Sequence, residues 1–290
     1  MCSNEAKIIF LPKIEDSRGN LTFIEADKHI PFDIKRAYWI YDVPGGVIRG
    51  GHAFKEQDEF IVSLSGSFDV IVDNGKSKKK FQLNRSYFGL LIPHGQWRSM
   101  ENFSTNSLAM VLASTKFDEN DYIRNYNDFS EFTAIKTNLL KPIKQESNYI
   151  NNLGSVNTVD DCYLLDLDKN HRIKGNITVI ENRNIIPFDI QRVYYLYDVP
   201  GGEVRGGHAH KELSQLILSA SGSFDVVLDD GKNKKTITLN RPYQGLLIVP
   251  GIWRELVNFS SGSNCLVIAS HIYNEEDYIR EYKEFINYKK

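Results

Sequence analysis

The chain has 290 residues, of which 41% are hydrophobic and 25% charged, an ordinary globular composition that excludes disorder, collagen and coiled coil. A formal net charge of −2 gives no electrostatic reason to expect nucleic acid or an anionic membrane as partner. Three cysteines, Cys2, Cys162 and Cys265, are too few and too scattered for a disulfide framework or a zinc site.

Read from the N-terminus, Met1-Cys2-Ser3-Asn4-Glu5 meets charge at once and lacks the apolar stretch of a signal peptide, and no run approaches the ~20 apolar residues of a membrane span. A soluble, cytoplasmic protein is expected. The segment Ile30-Pro31-Phe32-Asp33-Ile34-Lys35-Arg36 then recurs as Ile186-Pro187-Phe188-Asp189-Ile190-Gln191-Arg192, and Tyr41 to Gly46 recurs as Tyr197 to Gly202. Ser65 to Val70 returns as Ser221 to Val226, and Asp121-Tyr122-Ile123-Arg124 as Asp277-Tyr278-Ile279-Arg280, always at an offset of 156 residues. Register held over that span marks a duplicated domain. Pro142, a cluster of Asn and Ser, and Gly154 read as a connector. The domains are placed at 1–140 and 158–290, with a linker over 141–157.

Within each copy the signals are for strands. Phe68-Asp69-Val70-Ile71-Val72 and Phe224-Asp225-Val226-Val227-Leu228 mix alternation with β-branched residues and run into Asp-Asn-Gly and Asp-Asp-Gly turns. Short apolar runs between Gly, Pro, Asn and Asp predict an all-β jelly roll or barrel. Tyr122, Tyr126 and Phe129, and Tyr278, Tyr282 and Phe285, fall at i, i+4, i+7, which predicts a short helix closing each copy as a lid on the sheet.

The spacings resemble the two-part motif of the cupin family of small β-barrels. The second copy places Gly202, His208, His210, Gln215 and Gly222 where the first cupin motif has Gly, His-x-His, Glu and Gly; the first copy places Gly46, His52, Phe54, Glu59 and Gly66 there. The second motif is approximated by Pro250-Gly251-Ile252-Trp253-Arg254 with Asn258, and by Pro93 to Arg98 with Asn102. The resemblance implies two tandem cupin domains. The metal positions, however, hold Gln215 and Arg254 in one copy and Phe54 and Arg98 in the other. A permanently charged guanidinium repels a cation and attracts an anion, so no metal or other cofactor is expected. His208 and His210, two apart on a presumed strand, share one face and can serve as an acid/base pair, in unspecified order.

The string Arg205-Gly206-Gly207-His208-Ala209-His210-Lys211, with Trp253-Arg254, Asp277-Tyr278-Ile279-Arg280 and Pro187 to Tyr195, is similar to the sugar-nucleotide 3,4-ketoisomerases. That resemblance implies a metal-independent isomerase acting on a dTDP-linked 4-keto-6-deoxyhexose, whose product feeds 3-amino sugars of surface polysaccharides such as O-antigen. It implies His208, His210 and Tyr194 as catalytic residues. Arg205, Arg254, Tyr195, Lys174, Gln215, Arg18, Arg49, His52 and Arg98 would contact substrate. Because family members pair as homodimers, the tandem would form an internal pseudo-dimer, with a further homodimer possible. Phe54 replaces the second histidine in the first copy, so that copy is expected either to be inactive, serving as a dimer-mimicking partner, or to carry another activity through His52, Glu59 and Arg98. The competing readings are a 3,5-epimerase-like enzyme and a non-catalytic sugar-nucleotide-binding bicupin.

Overall fold

The structure is a computed structural model that describes residues 5–135 and 154–290. Met1 to Asn4, with Cys2, and residues 141–153 of the expected linker lie outside the described residues; the described end of that linker holds a 3-10 turn, Gly154–Val156. No helix is long and apolar enough to cross a membrane among the described residues.

Two compact units emerge, each with a seven-stranded and a five-stranded antiparallel sheet. The large sheet of the first unit runs in the order Lys7–Phe10, Phe88–Ile92, Glu59–Ser65, Leu108–Ala113, Arg36–Tyr41, Asn176–Glu181 and Asp168–Asn170. Its small sheet runs Tyr122–Ile123, Arg49–Phe54, Trp97–Glu101, Phe68–Asp73 and Lys78–Leu83. The second unit repeats the pattern, with Tyr163–Asp166, Gln244–Ile248, Gln215–Ser221, Asn264–Ala269, Arg192–Tyr197, Asn20–Glu25 and Lys13–Ile14 in the large sheet. Lys234–Leu239, Phe224–Asp229, Trp253–Val257, Arg205–His210 and Tyr278–Ile279 form the small one. The alternation read from the sequence therefore forms the expected all-β architecture, in which apolar side chains on the inner faces make the core. Tyr38, Ile61, Phe68, Val70, Leu90 and Met100 lie in one core, and Ile217, Phe224, Val226, Leu246, Leu256 and Val267 in the other.

The packing departs from a division into contiguous domains. The first unit takes the described residues of Met1–Leu11, Ile30–Asn148 and Lys169–Glu181, and the second those of Pro12–His29, Tyr149–Asp168 and Asn182–Lys290. Strand Asn176–Glu181, from the second sequence repeat, pairs with Arg36–Tyr41 in the first unit, with Glu181 opposite Arg36. Reciprocally, Asn20–Glu25 pairs with Arg192–Tyr197 in the second unit, with Glu25 opposite Arg192. Each unit thus owes one long strand of its sheet to the other repeat.

The closing helices are Tyr126–Ile135 and Tyr282–Tyr288. Phe129 and Phe285 are fully buried, the latter with Ala209, Trp253 and Ile279 and the former with Ala53 and Ile123. Tyr122 and Tyr278, expected on the same helical stripe, instead lie on two-residue strands, because Tyr278 pairs with His210 and Tyr122 with Phe54 on the small sheets. That pairing makes Tyr278 a part of the site described next.

Candidate active site

Strand Arg205–His210 carries both histidines, and its geometry is set by two glycines. The ladder with Trp253–Val257 shifts register between Gly206 and His208, which brings His208 opposite Arg254. Gly206 and Gly207 adopt φ +85° and +66°, and a Cβ on Gly206 would meet the Arg254 carbonyl oxygen at 2.9 Å. Only glycine fits this bulge. Beyond it the strand is regular, so His208 and His210 project from one face with ring centroids 5.1 Å apart, as their spacing predicts. Tyr278 lies against both rings, at 4.9 Å from His208 and 4.3 Å from His210.

The two imidazoles are held differently. His210 Nδ1 is 2.7 Å from Asp277 Oδ2, and His210 Nε2 is 3.3 Å from Arg254 Nη2. Burial, opposed by the Asp277 hydrogen bond and aided by the Arg254 charge, lowers the His210 pKa to about 3. At neutral pH the ring is therefore uncharged. Its Nδ1–H donates to the carboxylate and its Nε2 carries the lone pair. Burial, with Arg254 and His210 adding to it, also holds His208 well below the ordinary range, against a hydrogen bond to the Gly206 backbone. His208 Nε2 is shielded from solvent and makes no hydrogen bond among the described residues. The Gly206 bond is thus made by Nδ1, leaving a second Nε2 lone pair in the site. Asp277 also accepts the Glu212 N–H through Oδ1 at 2.7 Å, which fixes the carboxylate. In the sequence Asp277 stands in a repeated string and among the ketoisomerase-like motifs, with no role attached; it lies 67 residues from His210, a separation that no local spacing reveals.

Arg254 is 3% exposed and donates to the His208 carbonyl at 2.9 Å. It makes no ion pair with a carboxylate among the described residues. Burial accordingly lowers its pKa from the ordinary value, with Tyr194 and Tyr278 working against that. The Tyr194 hydroxyl donates to Gln215 Oε1 at 3.1 Å, and Tyr194 also hydrogen-bonds Arg254. Tyr195, expected to contact substrate, does not reach the site. Side chains alternate across a strand, so it points into the opposite, fully buried side, with its ring 6.0 Å from that of Tyr197.

Arg205 begins the same strand, donates to the Gly19 carbonyl at 3.1 Å and lies 3.3 Å from Asp16. Arg18 is exposed and paired with Asp16 at 2.8 Å. Strand exchange therefore brings Arg18, from the first repeat, beside Arg205 of the second unit. It likewise brings Lys174 beside Arg49 in the first unit, where Arg49 Nη1 donates to the Lys174 carbonyl at 3.1 Å.

The interior of the first unit uses the same scaffold differently. His52 keeps an unpartnered, shielded Nε2, but the neighbouring ring, 4.9 Å away, is Phe54. Arg98 is also 3% exposed, and Glu59 grips it from both oxygens, at 2.8 Å from Nε and 3.0 Å from Nη2. Tyr38 donates to the same carboxylate at 2.6 Å. Burial opposes the Arg98 charge, and Glu59 outweighs it, so its pKa is raised where that of Arg254 is lowered. Asp121, the counterpart of Asp277, has no imidazole to hold and accepts the Glu56 and Gln57 N–H groups. No group of three or more His, Cys, Asp or Glu placed to hold a metal ion occurs among the described residues.

Comparison with known proteins agrees with the repeat. The family model FdtA, described as WxcM-like, C-terminal, matches residues 4–134 and again 160–290. A TDP-4-oxo-6-deoxy-alpha-D-glucose-3,4-oxoisomerase from Aneurinibacillus thermoaerophilus is 44% identical over 137 residues, which is 47% of this chain and 98% of that protein. Among solved structures, a 3,4-ketoisomerase from Helicobacter canadensis is 47% identical, covering 44% of this chain and 96% of its own, with a TM-score of 0.43. QdtA, a sugar 3,4-ketoisomerase from Thermoanaerobacterium thermosaccharolyticum solved with TDP, is 36% identical, covering 47% and 99%, with a TM-score of 0.45. The chain belongs to the FdtA family, and it carries the family's domain twice.

Proposed function

We propose that the protein is a sugar-nucleotide 3,4-ketoisomerase that converts a dTDP-4-keto-6-deoxyhexose to its 3-keto isomer, with turnover in the second unit. The observation that carries this reading is Arg254: a buried guanidinium without a carboxylate partner, next to two neutral imidazoles. An unpaired buried charge is costly, by several kcal/mol. Negative charge developing on a substrate oxygen offsets that cost only while the charge exists, which is the requirement for lowering a barrier.

The C4 carbonyl acidifies the C3 hydrogen. His210 takes that proton on Nε2, and Asp277 stabilises the resulting imidazolium as the carboxylate does in serine hydrolases. The 3.3 Å contact from Arg254 to that nitrogen is long for a hydrogen bond, so substrate displaces it readily. The guanidinium then faces the enediolate oxygen. His208, with its second lone pair, handles the hydroxyl proton: O3 loses a proton and O4 gains one, while His210 exchanges the proton it took from C3 with solvent and delivers a proton to C4. No net electrons enter or leave. Gln215 holds the Tyr194 hydroxyl, Tyr194 orients Arg254, and Arg205 with Arg18 meet the diphosphate at the rim. The first unit, with Phe54 in place of the second imidazole and Arg98 neutralised by Glu59, is silent in this reaction. As an extension of the family resemblance, the product supplies a 3-aminotransferase in the cytoplasm for surface-polysaccharide sugars.

The test is the position of the carbonyl. Incubation with dTDP-4-keto-6-deoxyglucose followed by carbon NMR should move the ketone from C4 to C3. A product epimerised at C3 or C5 with the ketone still at C4 would point to the epimerase, and an unchanged substrate to a binding protein.

A further inference from the structure

The rims of the two units differ in charge, although their backbones correspond. In the second unit, Arg18 and Arg205 are answered by acids. Asp16 lies 2.8 Å from Arg18 and 3.3 Å from Arg205, and the charge of Glu203 also acts on Arg18. At the matching positions of the first unit Asp16 becomes Arg172, Glu203 becomes Val47, Arg18 becomes Lys174 and Arg205 becomes Arg49. Both acids are gone and a third cation has been added. Among the described residues Arg49, half-buried, donates only to the Lys174 and Gly175 carbonyls, at 3.1 and 3.3 Å. Burial lowers its pKa, and the positive charges of Arg172 and Arg98 press it the same way. None of Arg49, Arg172 and Lys174 has a carboxylate partner among the described residues. Cations gathered in this way repel one another unless an anion joins them, and guanidinium groups match phosphate oxygens in pairs. Deeper in, His52 leaves a shielded, unpartnered Nε2 on the strand that begins with Arg49.

We propose that the first unit is a second, catalytically silent binding site for the diphosphate part of a nucleoside diphosphate or its sugar conjugate, clamped by Arg49, Arg172 and Lys174. The proposal rests on the reading that this protein handles sugar nucleotides. The loss of the proton-transfer pair and the gain of rim charge then describe one change, from a turnover site to a site that holds.

Calorimetric titration of the full chain with dTDP tests it. Two dTDP sites per chain are expected. Arg205→Ala should weaken one of them, whereas Arg49→Ala and the exposed-site variant Arg172→Asp should each weaken the other by about tenfold to a hundredfold, the effect of losing a hydrogen bond to a charged group. Unaltered melting temperatures identify variants that have kept their fold. One site per chain, abolished by Arg205→Ala, overturns this inference and leaves the proposed activity standing. Two sites that ignore both Arg49→Ala and Arg172→Asp overturn it as well. No binding of dTDP at all overturns both.

Discussion

Replacing Asp277 by asparagine changes one atom and should disable the base. In the native site Oδ1 accepts the Glu212 N–H at 2.7 Å while Oδ2 accepts from His210 Nδ1 at 2.7 Å. Burial works against the Asp277 charge, but the His210 and backbone hydrogen bonds prevail and hold its pKa below the usual range. Asparagine has a single acceptor. If that oxygen stays on Glu212, the amide NH2 group faces Nδ1, which must then offer a lone pair, so the imidazole proton moves to Nε2. The atom assigned to remove the C3 proton would no longer be a base. The same substitution removes the negative charge that stabilises the imidazolium. A misplaced tautomer costs serine hydrolases about 10⁴-fold in kcat, and loss of a general base typically costs 10²–10⁴-fold. We expect Asp277→Asn to lower kcat by about 10²- to 10⁴-fold with KM within a few-fold of wild type. The assay is a coupled reaction with a 3-aminotransferase, run beside His210→Ala. A kcat within threefold of wild type would refute the assigned tautomer and the role of Asp277 in positioning His210.

Three further outcomes follow from the same geometry. Glu59→Ala leaves Arg98 buried without its carboxylate, so urea unfolding should report a loss of about 3–5 kcal/mol, and a loss under 1 kcal/mol would contradict the ion pair. In a His210→Ala background, Phe54→His with Glu59→Gln should restore measurable turnover in the first unit. Phe54→His alone should not, because Glu59 still neutralises Arg98. Finally, His52, His208 and His210 all titrate below the ordinary value of 6.5 in the folded chain. Below pH 6.5 the unfolded chain binds protons that the folded chain refuses, so stability falls with pH from 6.5 towards about 3, the value for His210. These three groups alone bring the slope to about 4 kcal/mol per pH unit, and burial lowers His29 and His271 in the same direction. Unfolding monitored between pH 7.5 and 5 should show an uptake of at least two protons per chain, and an uptake below one would contradict the neutral, buried rings.

Much of this molecule is legible in its sequence, and particular residues show where legibility stops. The 156-residue offset exposes the duplication, and the two-residue spacing of His208 and His210 puts both rings on one face, because those signals are local. The strand exchange is not local. Asn20-Leu21-Thr22-Phe23-Ile24-Glu25 and Asn176-Ile177-Thr178-Val179-Ile180-Glu181 share one pattern, so either could pair with Arg36–Tyr41 or with Arg192–Tyr197. Residues between the strands and the tertiary geometry decide, and with them whether Arg18 or Lys174 reaches a given rim. Parity was equally hidden. Tyr194 and Tyr195 are adjacent, and only the register against Asn264–Ala269 and Asn20–Glu25 turns Tyr194 towards Arg254 and Tyr195 away. Tyr278 fitted a helical stripe by spacing alone, yet pairing with His210 drew it into a strand. In the cupin motif Glu59 reads as a retained ligand and Gln215 as a poor one. Their larger effect is on charge, since one neutralises a buried guanidinium and the other leaves it open.

In the proposed reaction His210, steadied by Asp277 and facing Arg254, carries a proton from C3 of a keto sugar while the carbonyl migrates. That transfer is tested most directly by running the wild-type reaction on dTDP-4-keto-6-deoxyglucose in deuterium oxide. Proton NMR should then show deuterium at C4 of a 3-keto product, and no incorporation with His210→Ala. Deuterium confined to C5, or incorporation at C4 that persists in His210→Ala, would contradict it.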